Sequence, residues 1–196
     1  MNLLSQIINR SSVPAKNLHQ PAPTEAELEQ ILQAAMSAPD HGNLQPYRFL
    51  TIRGDARKKL GEIFASAVKS RDPNVSAEYQ KKQRDKPLRS PLIIVAIAQI
   101  QDNPKIPEIE QMLCAGAATQ NILLACHSLG YGAIWLTGDN AYDWSVCEPL
   151  GLDFNEKIIG FIYIGTATEA TNPRKTTLVE NKLQDWKEPV ILKTAI

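Results

Sequence analysis

The 196 residues carry 21 Lys plus Arg against 21 Asp plus Glu, and 43% of them are hydrophobic. That composition suits one compact domain with a real core, and its zero formal net charge lacks the basic footprint of a nucleic-acid binder. No apolar run approaches a membrane span, Leu92–Ala98 being much too short.

The N-terminal stretch shows no cleavage site. Cys114, Cys126 and Cys147 have no C-x-x-C spacing, and His19, His41 and His127 are scattered. Neither set suggests a metal site or disulfides, so the expected setting is a reducing cytoplasm.

In chain order, Leu3, Leu4, Ile7 and Ile8 at helical spacing predict a first helix over 3–9. Arg10-Ser11-Ser12 follows at once. A planar donor fork beside two hydroxyls suits a phosphate; the plainer reading of the motif by itself is helix-end decoration. Val13–Pro23 carries three prolines and reads as a connector. Thr24 and Glu27 have the spacing of a capping box, and Leu28, Ile31, Leu32 and Ala35 give the second helix its apolar stripe. Pro39 stops that helix, because the residue before a proline is pushed out of the helical region.

The chain is organised around what comes next. Asp40, His41, Asn43 and Gln45 lie on a short polar connection leading to a strand at Phe49–Ile52. A rigid scaffold presenting such groups is where small-molecule sites are built; the plainer reading is a solvated turn.

Arg57–Lys69 predicts a third helix. Residues 71–86 are heavily charged, with helical character from about Ser76, and read as a mobile, solvent-facing excursion or lid. The continuous apolar run Leu92–Ala98 fits a central strand covered on both faces. Glu108–Leu129 is the longest helical pattern, with Gly130 placed as its C-terminal cap. Its small-residue middle, Cys114–Ala118, admits a close neighbour, from a partner subunit or from the same chain.

Ala133–Thr137 reads as a strand into the Gly138-Asp139-Asn140 turn, Asp143–Leu150 as a short helix, and Ile158–Ile164 as a buried strand. From Thr166 the chain is polar and aperiodic until Val190-Ile191-Leu192. A lone strand on such an arm cannot bury itself, so residues 166–196 are expected to reach from the 1–165 core to another sheet, most simply that of a second copy.

No G-x-S-x-G elbow, H-E-x-x-H pair, P-loop or telling carboxylate pair is present. Gly130-Tyr131-Gly132 precedes a strand and is no dinucleotide fingerprint. Polar residues at strand ends without an evident nucleophile or base point to a cofactor that carries the chemistry.

Four passages in register carry a resemblance. They are Arg10-Ser11-Ser12 after the first helix, the Ala-Pro-Asp-His-x-x-x-Gln-Pro-aromatic-x-Phe loop, Gly-Tyr-Gly-Ala-Ile-Trp, and Ile-Gly-Phe-Ile-Tyr-Ile-Gly-Thr. Together they resemble the nitroreductase family of flavoproteins, and within it the small minimal members with Asp-His where most have two serines. The resemblance implies an α+β sandwich, a central mixed sheet flanked by helices, in a homodimer that exchanges C-terminal strands. It also implies FMN in two sites at the dimer interface. NADH or NADPH would reduce the flavin at N5, and a nitroaromatic, quinone or enone would take the electrons in a ping-pong cycle.

Carried over by position, Arg10 is the phosphate arginine, with Ser11 and Ser12 beside it; many relatives have a second Arg at position 11. Arg174, with Lys175 as the fallback, falls where many members place a C-terminal phosphate contact. Ser37, in place of a larger basic residue, and His41 match flavin-contacting positions. Asn43 and Gln45 are amides near the ring, each offering a donor and an acceptor. Trp135, Leu136 and Thr137 match the strand that approaches the ring from the other side, and Trp135 also reads as core. Ala125, Cys126, His127, Ser128, Leu129 and Gly130 match a segment assigned to the nicotinamide nucleotide.

No acid, base or nucleophile is assigned; His41 is the candidate if a proton donor is needed. The same scaffold also serves reductive dehalogenases and flavin-cleaving enzymes, and a non-catalytic flavin-binding protein is a further alternative.

Overall fold

The structure, a computed structural model, describes residues 2–168 and 179–186. Arg174, Lys175 and the strand expected at 190–192 lie outside the described residues.

The first helix, α1 (Leu3–Asn9), is capped by the Asn2 side chain, which accepts from Ser5 N at 2.8 Å. Strand β1 (Leu18–His19) is too short for periodicity to reveal. Helix α2 (Glu25–Met36) starts in the expected capping box, with both reciprocal bonds between Thr24 and Glu27 present. Strand β2 (Tyr47–Arg53) begins two residues before the expected Phe49. Then come α3 (Ala56–Arg71), α4 (Ala77–Asp85), β3 (Leu92–Gln99), α5 (Glu108–Ser128) and β4 (Gly132–Leu136). The short α6 (Trp144–Cys147) continues into a 3-10 turn at Glu148–Leu150, and β5 (Glu156–Ala167) follows.

The sheet runs β1-β5-β3-β2, with β4 also on β5, and each pairing among the described strands is antiparallel. Alternation along β3 explains the three layers. Leu92, Ile94 and Ala96 face α2 and α5, whereas Ile93, Val95 and Ile97 face α3 and α6. Both faces are covered, so β3 is apolar throughout.

Strand β5 keeps this pattern only with a shift. Ala96 pairs with Gly160 and Ile97 with Ile158, so Ile159 is the extra residue of a bulge. Gly160 is required there, since a Cβ would collide with the Trp135 indole, whose Nε1–H donates to Ile159 O at 3.0 Å.

The mobile lid expected at 71–86 is not what forms. α4 docks on α3, with Gln83 buried and Gln80 Nε2 donating to Ala65 O at 3.1 Å. Arg84 Nε bonds Glu62 at 2.7 Å. Gly61 makes the approach possible, because a Cβ there would meet the Arg84 carbonyl oxygen. The segment's polarity serves helix-to-helix hydrogen bonds, which a hydropathy pattern cannot distinguish from solvation.

Candidate functional site

Strand β4 organises two hollows. The residues after α1 run alongside it, tied by Val13 N to Ala133 O at 3.1 Å. Gly132 admits this approach, because a Cβ there would stand 2.7 Å from Leu18 and 2.9 Å from Val13. At this end of β4 a hollow of about 230 Å³ is lined by Arg10, Ser11, His127 and Gly130. Ser12 is exposed and outside its lining. The half-buried Arg10 thus supplies a fixed cation at one end of the strand.

At the other end of β4, Leu136, Thr137 and Gly138 line a hollow of about 360 Å³ whose walls include Phe64 and Phe161. Lys86 and Arg89 complete it. Burial lowers the Lys86 ammonium below its ordinary range, and repulsion from Arg89, Lys82 and Arg71 adds to this against a weaker pull from Asp139. Neither the Lys86 nor the Arg89 side chain has a hydrogen bond or ion-pair partner among the described residues. Two cations without a hydrogen-bond or ion-pair partner among the described residues, beside apolar walls, are suited to a planar group carrying negative charge on one edge. Only Ile134 and Trp135 lie between the two linings, and Ala133 and Leu136 are about 10 Å apart at the usual rise.

The 40–45 loop lies elsewhere, against the N-terminal half of α5. His41 Nδ1 is 2.6 Å from Glu110 Oε2, and both border an open hollow of about 580 Å³ with Leu113, Cys114 and Ala117. Asp40 Oδ2 accepts from Gln45 N at 2.7 Å, and Gln101 Nε2 donates to Leu44 O at 2.9 Å. Gly42, Asn43 and Gln45 have φ of +71°, +54° and +47°. Left-handed backbone at two non-glycine residues costs free energy that the surroundings must supply, and such strain concentrates at functional sites. Burial, with Asp40 close by, raises the Cys114 thiol.

The expected site residues therefore fall into separate places. Arg10 and Ser11 meet His127 and Gly130; Leu136 and Thr137 line the second hollow; His41 stands on the third. Asn43 and Gln45 are exposed on the strained loop, and Ser37 Oγ donates to Ala34 O at 2.8 Å where α2 ends. The Trp135 indole is engaged at the β5 bulge. Within 125–130, Ala125 and Leu129 pack on the core, Ser128 is exposed, and Cys126 is fully buried with its thiol pushed up to about 12 by desolvation.

Lys86, Arg89 and Glu110 were not legible as site residues. Lys86 and Arg89 continue the cationic run from Lys81, and Glu110 looks like any first-turn carboxylate. Among the described residues no cluster could hold a metal ion, and no helix is long and apolar enough to cross a membrane.

Residues 7–166 match the family model described as "Nitroreductase family". The chain belongs to the nitroreductase family. The Escherichia coli (strain K12) protein named "Putative NAD(P)H nitroreductase YdjA" is 38% identical over 169 residues, which is 85% of this chain and 88% of that one. A solved nitroreductase-like family protein from Bacillus cereus superposes with a TM-score of 0.82 at 24% identity, covering 96% of this chain and 97% of its own. A family structure from Desulfovibrio desulfuricans, solved in complex with FMN, has a TM-score of 0.71 at 25% identity and covers 96% and 99%. These likenesses agree with the α+β nitroreductase fold described above.

Proposed function

We propose that this nitroreductase-family chain is an FMN-dependent NAD(P)H oxidoreductase of the cytoplasm, working as a homodimer on small-molecule electron acceptors. The observation that carries this reading is the pair of hollows on β4. An anion grip at Arg10 and Ser11 lies about 10 Å of strand from an apolar slot edged by Lys86 and Arg89. That order of chemistries fits a phosphate, a flexible polyol and a planar ring with an acidic edge.

Bound FMN would supply the two-electron chemistry, taking hydride from NADH or NADPH and passing it to a nitroaromatic, quinone or enone. The chain's own residues do the rest. Arg10 and Ser11 hold the phosphate, joined in this reading by Ser12 and Arg174. Leu136, Thr137 and Gly138 give the ring a wall, and Lys86 with Arg89 stabilise negative charge at its edge. His127 and Gly130, which line the phosphate end, are in this reading the part of the 125–130 segment that touches the nucleotide co-substrate.

Support for two copies comes from apolar surface. Leu3, Leu4, Ile7 and Ile8 on α1 and Ile109 and Leu113 on α5 are all exposed, and a patch of that kind marks an association surface. A second copy would also bring His41, Asn43 and Gln45 to a β4 site, which they do not line within one chain.

The test is a purified preparation examined under nitrogen. A flavin spectrum bleached by NADH or NADPH and restored by menadione or a nitroaromatic supports the proposal. Bound flavin that neither nucleotide reduces would overturn the oxidoreductase reading.

A further inference from the structure

The 40–45 loop is over-determined for a surface turn. Gly42 sits where a Cβ would stand 2.6 Å from Ile106 Cδ1, and Asn43 and Gln45 are held left-handed. Asp40 is committed to Gln45 N, and Gln101 ties down the Leu44 carbonyl. The side chain at the centre, His41, is nevertheless 60% exposed. A rigid mount for an exposed imidazole implies that its orientation matters to something outside the chain.

Glu110 completes the mount. Its Oε2 is 2.6 Å from His41 Nδ1. An ionised carboxylate only accepts hydrogen bonds, so the hydrogen between them belongs to Nδ1. This fixes the neutral ring as the Nδ1–H tautomer and leaves Nε2 as the one nitrogen available to a ligand. The neighbouring first-turn carboxylate, Glu108, is paired with Lys157. Asp40 reaches Gln45 N and the Cys114 thiol. Glu110 is thus the carboxylate bonded to the imidazole.

We infer that Glu110 is a positioning residue, which sets the tautomer and direction of His41 so that Nε2 is presented to the flavin bound by a second copy of the chain. The inference rests on the dimeric flavin site proposed above, and its first test does not require flavin. The protein is labelled with ¹⁵N-histidine, and its three imidazoles are read by long-range ¹H–¹⁵N correlation in the apoprotein at alkaline pH. His41→Ala assigns the signal.

The expected result is Nδ1–H in the wild type and a shift toward the Nε2–H form, which an unconstrained histidine side chain prefers, in Glu110→Ala. Glu110→Gln should retain Nδ1–H, because its carbonyl still accepts. Nε2–H in the wild type, or an unchanged tautomer in Glu110→Ala, would overturn the inference.

The second readout is FMN affinity and the visible spectrum. Glu110→Ala should weaken FMN by about 3- to 10-fold, the scale of one hydrogen bond, and perturb the flavin bands. The double variant with His41→Ala should be no weaker than His41→Ala alone. Normal FMN binding by both single variants, while Arg10→Ala loses it, would overturn the positioning role and keep the flavin site. Failure of the wild type to bind FMN would overturn the site itself.

Discussion

Replacing Glu156 by Gln should unlock one end of the sheet. Its carboxylate accepts from Arg48 Nε and Nη2, each at 2.6 Å, from Gln99 Nε2 at 2.8 Å and from Asp153 N at 3.0 Å. One side chain, itself only 3% exposed, thereby joins β2, β3 and β5. The Arg48 hydrogen bonds hold its carboxyl down to about 2 despite burial. Because the folded-state value lies below the ordinary 4.5, the stabilisation is complete above pH 4.5 and is lost as pH falls toward 2. A shift of that size corresponds to about 3 kcal/mol.

Glu156→Gln also leaves the Arg48 guanidinium without its anion. Arg48 keeps its bond to the Gly151 carbonyl at 2.9 Å and some solvent, so the cost should sit at the low end of the range for a broken buried pair, about 3 kcal/mol. For a chain of this length that is roughly 6–12 °C in Tm. Urea unfolding at pH 7 and at steps down to pH 3 measures both effects. The gap between wild type and variant should be widest at pH 7 and should close below pH 4.5. A loss under about 1 kcal/mol at pH 7, or a gap unchanged down to pH 3, would show that the Glu156 carboxylate does not hold this end of the sheet.

Other expectations follow from single residues. Gly160→Ala should push the Trp135 indole off Ile159, cost about 1–3 kcal/mol and alter the near-UV circular dichroism; an unchanged aromatic spectrum would contradict the bulge packing. Lys86→Met should lower the midpoint potential of bound flavin by roughly 20–45 mV, the equivalent of about 1–2 kcal/mol of lost charge stabilisation; spectroelectrochemistry would show it, and an unshifted potential would remove Lys86 from the ring's edge. Cys126, buried with its thiol pushed up to about 12, should react with a disulfide reagent only as fast as the protein unfolds; rapid labelling in the native state would contradict that packing.

Much of the fold was legible because its signals are local. The Thr24–Glu27 box, the proline after α2, the unbroken apolar run of β3 and the glycine after α5 each act within a few residues. β1 was not legible, because two residues carry no period and are held only by pairing with β5. Nor was the docking of α4, which depends on a missing Cβ at Gly61 sixteen or more residues earlier in the chain.

The candidate site was legible by position and much less by geometry. Arg10, Leu136 and Thr137 mark β4 hollows, yet Lys86 and Arg89 reach one of these only through the fold. His41 could be singled out from its loop, but Glu110 lies 69 positions away and becomes its partner only when α5 packs beside that loop.

The proposed placement of FMN along β4, with its phosphate on Arg10, stands or falls on that guanidinium. Its most direct measurement is a fluorescence titration of FMN into flavin-free wild type and Arg10→Ala. Saturable binding, stoichiometric with the chain, is expected in the wild type, and a Kd raised by about 10- to 150-fold in the variant, the scale of one charge-assisted contact. A wild type that fails to bind FMN, or a variant that binds it equally well, would contradict that placement.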